Sequence, residues 1–249
     1  MFRFSTASRL VVVSLCLLAG QHASAQFGGP PPGPRGPARD VAPFDLTGQW
    51  VSIVTEDWRF RMTVPPRGDY PGLPLNATAR AAAEAWDPAQ DQADGNACKA
   101  YGVGGIMRMP TRLRIEWSGD STLEVRSDAG RQLRRLQFSD EPSREDAGGW
   151  QGVSVAEWEM HGRSGNGTLR VVTSGMRAGY FRKNGVPYSE DAVLTEYIDL
   201  LTQHDGSEWL VVLSVLEDPA FYTEPIITST NFRREDDSRG WNPSDCRVD

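Results

Sequence analysis

Two glutamates are candidates for acid–base chemistry because each shares the parity of an otherwise apolar run. Glu196 is in phase with Leu194 and Ile198. Glu56 is in phase with Trp50. A buried carboxyl group is unfavourable unless it is paired or protonated, and an unpaired one has the raised pKa that general acid–base catalysis uses. The pattern therefore offers two candidate catalytic residues without specifying a reaction.

A structural role for the same glutamates is the alternative. Each acid turns outward at a bulge or strand end, or it forms a salt bridge with an arginine such as Arg59 or Arg182. No other pattern in the chain points to catalysis, because Ser154 and Ser174 have no neighbouring histidine motif. The histidines and cysteines do not have metal-ligand spacing, so the sequence predicts neither a metal nor a cofactor.

The elements that must position these glutamates are short β-strands. Residues 50–64 alternate between two chemically distinct parities, as half-buried strands do. Fifteen residues are long for one strand, so we expect a bend or hairpin near Glu56 and Asp57. Later runs of the same kind follow at hairpin spacing. The pattern predicts a mainly β fold, an antiparallel barrel of about 9–10 strands.

The Gly48-Gln49-Trp50 triplet opens the first predicted strand. A closed barrel of this size either fills its interior with side chains or holds a small ligand. If the parity of Trp50 continues along the strand, the inner wall that contacts a ligand includes Trp50, Trp58, Phe60 and Met62. Tyr188 follows a Gly-Val-Pro turn and is a candidate for the barrel mouth, although the pattern favours a turn with a serine cap.

One helix interrupts this strand pattern early in the chain. Residues 76–86 are rich in alanine, Asn76 is a suitable N-cap, and Asp87 with Pro88 ends the helix. A further helical turn is expected from Pro88 to Ala93. The sequence thus predicts one short helix inserted into an all-β domain.

The amino terminus has the features of a secretory signal. Residues 1–25 combine a basic start, a short apolar stretch and an Ala-Ser-Ala cleavage site. We expect a Pro/Gly-rich disordered linker at 26–43 and a single barrel domain at 44–249. Removal of the signal leaves Cys98 and Cys246, which are expected to form a disulfide in a periplasmic or secreted protein.

Charge and hydropathy limit the partners. After removal of residues 1–25, which carry two arginines and no acid, 24 basic and 33 acidic residues remain, a net charge of −9. This excess argues against nucleic acid as a partner, and no segment of the mature chain predicts a stable membrane anchor. Residues 210–216 are apolar on both parities, so this strand lies under the helix or contacts another subunit.

Several segments resemble known families. Gly48-Gln49-Trp50, together with the late arginines Arg233 and Arg234, is similar to the lipocalins, in which an arginine from a late strand covers the tryptophan at the barrel floor. A wider resemblance connects the chain to a family of exported bacterial proteins with no assigned activity. It is carried by residues 45–50 (DLTGQW), 152–159 (GVSVAEWE) and 184–190 (NGVPYSE). The resemblance implies export and a lipocalin-like barrel, and it supplies no reaction.

These features lead to three functional hypotheses. The first is an exported barrel that binds a small apolar or amphipathic molecule, with Glu56 or Glu196 anchoring a polar group. The second is a barrel enzyme of the isomerase, hydratase or cyclase type that uses one of these carboxylates. The third is an envelope interaction module that docks a partner, or a second copy, through residues 210–216.

Overall fold

The computed structural model describes residues 36–162 and 166–248. The predicted signal at 1–25 lies outside the described residues, as does the first part of the predicted linker, 26–35. Residues 36–43 belong to the same predicted linker, but they include a turn, and the carbonyl of Ala38 accepts a hydrogen bond of 2.9 Å from Trp158 Nε1. This last part of the linker is therefore packed against the barrel.

Nine strands form a closed barrel in the order β1-β11-β10-β9-β6-β5-β4-β3-β2, which confirms the predicted fold class. A separate two-stranded sheet contains β7 and β8. The strands are β1 (Gly48–Ile53), β2 (Arg112–Trp117), β3 (Thr122–Ser127), β4 (Leu133–Gln137), β5 (Val153–Met160), β6 (Gly167–Ser174), β7 (Gly179–Arg182), β8 (Val186–Tyr188), β9 (Val193–Thr202), β10 (Glu208–Glu217) and β11 (Ile226–Glu235).

Strand pairing closes the barrel through its first strand. β1 pairs in antiparallel fashion with β11 on one side and with β2 on the other. The other barrel pairs are antiparallel except for β4 and β5, which are parallel over Leu136↔Ser154 and Gln137↔Val155. This short parallel step follows from the long connection at 138–152, which returns the chain to the same end of the sheet.

The barrel interior is filled by the inward-facing parity of each strand. The largest fully buried members are Trp50, Leu113, Leu123, Leu136, Leu169, Leu210 and Phe232. Because side chains alternate across a strand, one residue in two contributes to this core and the next faces outward. The barrel is therefore a packed scaffold with a hydrophobic centre.

One end of the barrel is closed around Trp50. The guanidinium carbon of Arg234 lies 4.2 Å from the centre of the Trp50 ring, and Trp50 Nε1 donates to the carbonyl of Leu46 at 3.0 Å. This is the contact that the resemblance to lipocalins implied, with Arg234 rather than Arg233 as the covering residue.

Short helices surround the opposite end. They are α1 (Trp58–Arg61), α2 (Ala77–Glu84), α3 (Pro88–Ala93), a 3₁₀ helix (Ala97–Tyr101) and α4 (Val103–Ile106). α2 confirms the predicted helix, since the Asn76 side chain accepts a hydrogen bond from the Ala79 amide at 2.9 Å. α3 begins with Pro88 at its first position, as expected. α4 lies over the ends of β9, β10 and β11.

The prediction of strand structure throughout 50–64 is wrong. β1 ends at Ile53, Asp57 has a φ of 51°, and α1 follows directly. Trp58 and Met62 are 65% and 56% exposed, so neither is on the inner wall of the barrel. The alternation of Arg59 and Arg61 with apolar neighbours resembles a strand. However, long-range contacts of the Arg61 side chain hold this segment as a helical turn outside the barrel.

The apolar strand at 210–216 has an open outer face. Leu210, Val212 and Leu216 point into the core, whereas Leu213 is 41% exposed. Ile227 on the neighbouring strand is 65% exposed. A contact of this face with another subunit remains a prediction.

Candidate functional site

A pocket of about 290 Å³ lies beside the barrel at the end that the helices surround. Three segments supply most of its lining: α1 with the residues that follow it, the segment from the 3₁₀ helix to Pro110, and the end of β7 with Lys183. Its apolar wall comprises Phe60, Met62, Val64, Met109 and Phe181. Phe60 and Met62 were predicted ligand contacts, and they line this pocket instead of the barrel interior.

Arg61 forms one part of the polar wall. Its side chain is fully buried although it lies on a one-turn helix. Arg61 Nε donates to the carbonyl of Arg108 at 2.8 Å, and Nη1 pairs with Glu56. Nη2 is buried without a hydrogen-bond partner among the described residues. Burial lowers the pKa of this guanidinium, and the nearby Arg108 lowers it further.

Arg108 forms the second part of the polar wall. Arg108 Nη2 donates to Asp57 Oδ2 at 2.8 Å, and its guanidinium carbon lies 5.0 Å from the centre of the Phe181 ring. Nη1 is buried and has no hydrogen-bond partner in the described ranges. The φ of 51° at Asp57 lies in the left-handed region, which aspartate tolerates better than most residues.

Arg182 forms the third part and is the least compensated of the three arginines. It is 7% exposed, and its guanidinium carbon lies 4.2 Å from the centre of the Phe60 ring. Nε and Nη1 are buried without a hydrogen-bond partner in the described part of the chain. Burial lowers the pKa of Arg182, and repulsion by Arg108 acts in the same direction, although arginine stays charged in proteins.

The wall as a whole carries more positive than negative charge. Arg61 and Arg108 each pair with one carboxylate, from Glu56 and Asp57, and Arg182 pairs with neither. The arginines are donors only, so this wall can bind and orient a group that accepts hydrogen bonds.

Glu196 lies inside the barrel and does not line this pocket, although Arg108 and Phe181 line both the pocket and the small cavity beside Glu196. Its side chain is fully buried, and Oε2 is 2.5 Å from Arg134 Nη2. Arg134 also donates to Ser154 Oγ at 2.9 Å and to Thr173 Oγ1 at 2.7 Å. The cavity beside Glu196 has a volume of about 10 Å³, roughly enough for one water molecule. The geometry favours a structural ion pair, with Arg134 rather than Arg59 or Arg182 as the partner.

Glu56 lies at the edge of the new site. Its side chain is 32% exposed and pairs with Arg61, while Asn231 Nδ2 donates to Oε2 at 3.3 Å. The side chain of Thr55 also donates to Oε2. Glu56 therefore holds the Arg61 guanidinium in place.

The other predicted ligand contacts are structural in this geometry. Trp50 and Tyr188 are fully buried, and Trp58 is exposed and does not line the pocket. The Tyr188 ring packs on Gly102 and Gly104, where a Cβ atom would clash with it. Glycine at these positions is required by this close approach. Tyr188 thus joins β8 to α4, beneath the surface.

The disulfide between Cys98 and Cys246 is present and confirms the predicted pairing. The two Cα atoms are 5.1 Å apart, across a sequence separation of 148 residues. Ala129 and Ser244 form an isolated bridge close to the disulfide, and both residues line the pocket. The disulfide thereby fixes the end of the chain as part of the pocket wall.

Three further findings concern metals, membranes and relatives. Within residues 36–162 and 166–248, no group of histidine, cysteine or acidic residues is arranged to hold a metal ion. No helix in the same ranges is long and apolar enough to cross a membrane. Comparison of the chain with protein-family models, with curated proteins and with solved structures gives no significant match.

The arginines of the pocket were not recognised as site residues in the sequence. Arg61 has the polar parity of its apparent strand, Arg108 lies in a loop, and Arg182 precedes an Asn-Gly turn. Their spacing contains no motif, because they meet only when α1, the segment after α4, and β7 come together. Each arginine directly follows an apolar residue, namely Phe60, Met107 or Phe181, and this feature is too common to mark a site.

Proposed function

We propose that the protein is an exported, periplasmic or secreted barrel that binds a small amphipathic molecule. The observation that carries this proposal is the pocket of about 290 Å³, where the rings of Phe60 and Phe181 adjoin three buried guanidinium groups. Small-molecule sites usually combine an apolar lining with a few fixed polar groups. The Cys98–Cys246 disulfide supports an oxidising compartment.

The size of the pocket indicates a small ligand. Binding sites for drug-sized molecules have volumes of about 300–1,000 Å³, so this pocket lies at the lower limit. If each atom occupies about as much space as a water molecule, the pocket holds roughly ten non-hydrogen atoms. Met62 and Val64 at the rim are 56% and 42% exposed, which leaves a route for entry from solvent.

This proposal places the ligand at the rim of the barrel, whereas the sequence predicted a ligand inside the barrel. The interior contains packed side chains and the Arg134–Glu196 pair, and the pocket adjoins this core through lining residues such as Tyr101 and Met109. A closed barrel provides a stiff support for the shorter segments that form the pocket. The enzyme hypothesis receives less support, because Glu196 is paired and faces a cavity too small for a substrate.

An interaction module remains the second candidate function, and one observation favours it. Leu213 and Ile227 expose apolar side chains on neighbouring strands. Size-exclusion chromatography with light scattering tests this candidate on the mature chain. A dimer that Leu213→Glu converts to a monomer would support the interface, and a monomer at every concentration would argue against self-association.

Ligand binding is tested by native mass spectrometry of the protein isolated from its source, together with thermal-shift screening of small amphipathic compounds. Val64→Trp is designed to fill the pocket from its rim. Leu201→Trp is the matched control, because Leu201 is a similarly exposed apolar residue (49%) outside the pocket. We expect Val64→Trp to abolish binding and Leu201→Trp to preserve it. An empty protein that no compound stabilises, or equal binding by both variants, would refute the proposal.

A further inference from the structure

We propose that the ligand carries an oxyanion, a carboxylate or a phosphate, that Arg61, Arg108 and Arg182 hold at the inner end of the pocket. This inference rests on the proposed function, and it adds the chemical class of the ligand. Three arguments support it: unbalanced charge, unused hydrogen-bond donors, and the way in which two acids orient the arginines.

The first argument is the charge balance of the buried wall. All three guanidinium groups belong to buried arginines. The exposed fraction is 0% for the Arg61 side chain, 8% for the Arg108 side chain and 7% for residue Arg182 as a whole. Within the described residues, only two carboxylates, from Glu56 and Asp57, pair with these arginines. Arg108 is close enough to Arg61 and Arg182 to disfavour the charged form of both. Asp57 and Asp69 lie near Arg182, but Arg108 engages Asp57 at 2.8 Å and Arg59 engages Asp69 at 2.6 Å. A buried charge without a partner is strongly unfavourable, so an anion would stabilise this arrangement.

The second argument is the number of unused donors. Arg61 Nη2, Arg108 Nη1, Arg182 Nε and Arg182 Nη1 are buried, and none has a hydrogen-bond partner in the described residues. All four nitrogens belong to side chains that line one pocket. Guanidinium groups match carboxylate and phosphate oxygens in shape and charge. A neutral ligand would leave the positive charge uncompensated, and a cationic ligand would be repelled.

The third argument is that the arginines are held in place before a ligand arrives. Glu56 fixes Arg61, and Asp57 fixes Arg108 from a left-handed backbone conformation. Unusual backbone conformations often mark binding sites. Arg182 is left without a carboxylate partner within the described ranges and stacks on the Phe60 ring. Arg182 is therefore the residue that decides between an anionic and a neutral ligand.

The unused nitrogens are shielded from water, which has a consequence for binding. A head group can reach them only if part of the pocket lining moves, and Phe60, which stacks on Arg182, belongs to α1. Trp58 begins this helix and is 65% exposed. We therefore expect binding of an oxyanion to change the fluorescence of the protein, and Trp58→Phe to remove most of this change.

Calorimetric titration of the mature chain with four eight-carbon probes tests the inference. The probes are octanoate, octyl phosphate, 1-octanol and octylamine, each used below the concentration at which it self-associates. A charge-assisted hydrogen bond contributes about 1.5–3 kcal/mol, so we expect each anion to bind at least about tenfold more tightly than 1-octanol. Octylamine is expected not to bind. Equal affinity for octanoate and 1-octanol would overturn the inference while leaving the proposed function intact.

Substitution of Arg182 gives an independent test. We expect Arg182→Met to weaken octanoate binding by about tenfold or more and to leave 1-octanol binding unchanged or stronger. Arg182→Lys, which keeps the charge, should retain part of the affinity. Arg80→Met is the matched control, because Arg80 is exposed on α2 and should not affect binding. Unchanged octanoate affinity in Arg182→Met would overturn the inference. The probe comparison in the unaltered protein remains decisive if a variant fails to fold.

Two further measurements distinguish the sources of the oxyanion. Inorganic phosphate alone should bind much more weakly than octyl phosphate, and equal affinity would contradict the role of the apolar wall. Sedimentation with phosphatidylglycerol vesicles tests a lipid head group. Pelleting that Arg182→Met abolishes would support the oxyanion as part of a lipid, and absence of pelleting with octanoate binding intact would support a free molecule.

Discussion

Replacement of Glu196 by glutamine should destabilise the fold severely. The substitution preserves the shape of the side chain, but it leaves Arg134 buried at 6% exposure without its counter-charge. Removing one partner of a buried ion pair costs about 3–5 kcal/mol. The hydrogen bonds from Arg134 to Ser154 and Thr173 remain, because they do not involve Glu196. These two hydrogen bonds hold the Arg134 side chain in place, so its positive charge stays buried without a counter-charge.

Removing both charges together should have a much smaller effect. Arg134→Met combined with Glu196→Leu replaces the pair by apolar side chains, and such replacements range from neutral to stabilising by about 1–4 kcal/mol. The double-mutant cycle should therefore give a coupling energy of about 3 kcal/mol or more. Urea denaturation followed by tryptophan fluorescence measures the free energy of unfolding for each variant.

A surface pair of the same type provides the control. Glu157 and Arg170 face each other on β5 and β6, their closest approach is 2.5 Å, and their side chains are 57% and 34% exposed. Glu157→Gln should cost less than about 1 kcal/mol, as exposed pairs do. If Glu196→Gln costs no more than this control, the pair inside the barrel is not an ionised pair, and the argument for its structural role is refuted.

Three other predictions concern the disulfide, the barrel floor and alkaline pH. The double substitution Cys98→Ala with Cys246→Ala should lower the free energy of unfolding by about 5 kcal/mol, because the disulfide closes a loop of 148 residues. A loss of stability below about 1 kcal/mol would contradict this prediction. Arg234→Ala should lower the free energy of unfolding by about 1–2 kcal/mol and change the near-ultraviolet circular dichroism spectrum, because it uncovers the ring of Trp50. An unchanged spectrum would show that the contact is unimportant. Burial raises the pKa of Tyr188 above its ordinary value. The contribution of Tyr188 to stability should therefore be constant below about pH 10, the pKa of an unfolded tyrosine, and fall as the pH rises further. Tyr188→Phe should reduce this alkaline fall, and an unaltered profile above about pH 10 would contradict the prediction.

Local patterns explain why much of the fold could be predicted from the sequence. Strand alternation, turn residues and the Asn76 cap act over a few neighbouring positions, so the barrel strands and α2 follow from short windows. The Cys98–Cys246 pair was predictable for a different reason, since only two cysteines remain after the predicted signal. In each case, few alternatives were compatible with the local chemistry.

The segment after β1 shows where local patterns fail. The parity from Trp50 continues to Met62, but the chain leaves the sheet after Ile53. Its direction is decided by Arg61, which reaches the carbonyl of Arg108, 47 residues away in sequence. No local window contains that contact. The same limitation hid the arginine pocket, whose three buried arginines come from separate segments.

Glu196 is an intermediate case. The apolar parity around it correctly indicated a buried carboxylate. Its partner Arg134 could not be identified, because β4 and β9 are not adjacent in the barrel and the two side chains meet across the interior. The sequence thus identified a residue with an unusual environment, whereas the three-dimensional arrangement decided what that environment does.

The pairing of β1 with β11 determines when the barrel can close during synthesis. Gln49 on β1 lies opposite Glu235 on β11. The first barrel strand to be synthesised therefore cannot pair with β11 until nearly the whole polypeptide has been made. Joining such distant segments is slow compared with forming hairpins. Until that moment two edges stay unpaired, open to pairing with other chains. A nascent chain therefore exposes these edges to other copies of the protein until about the last tenth of its residues has been synthesised.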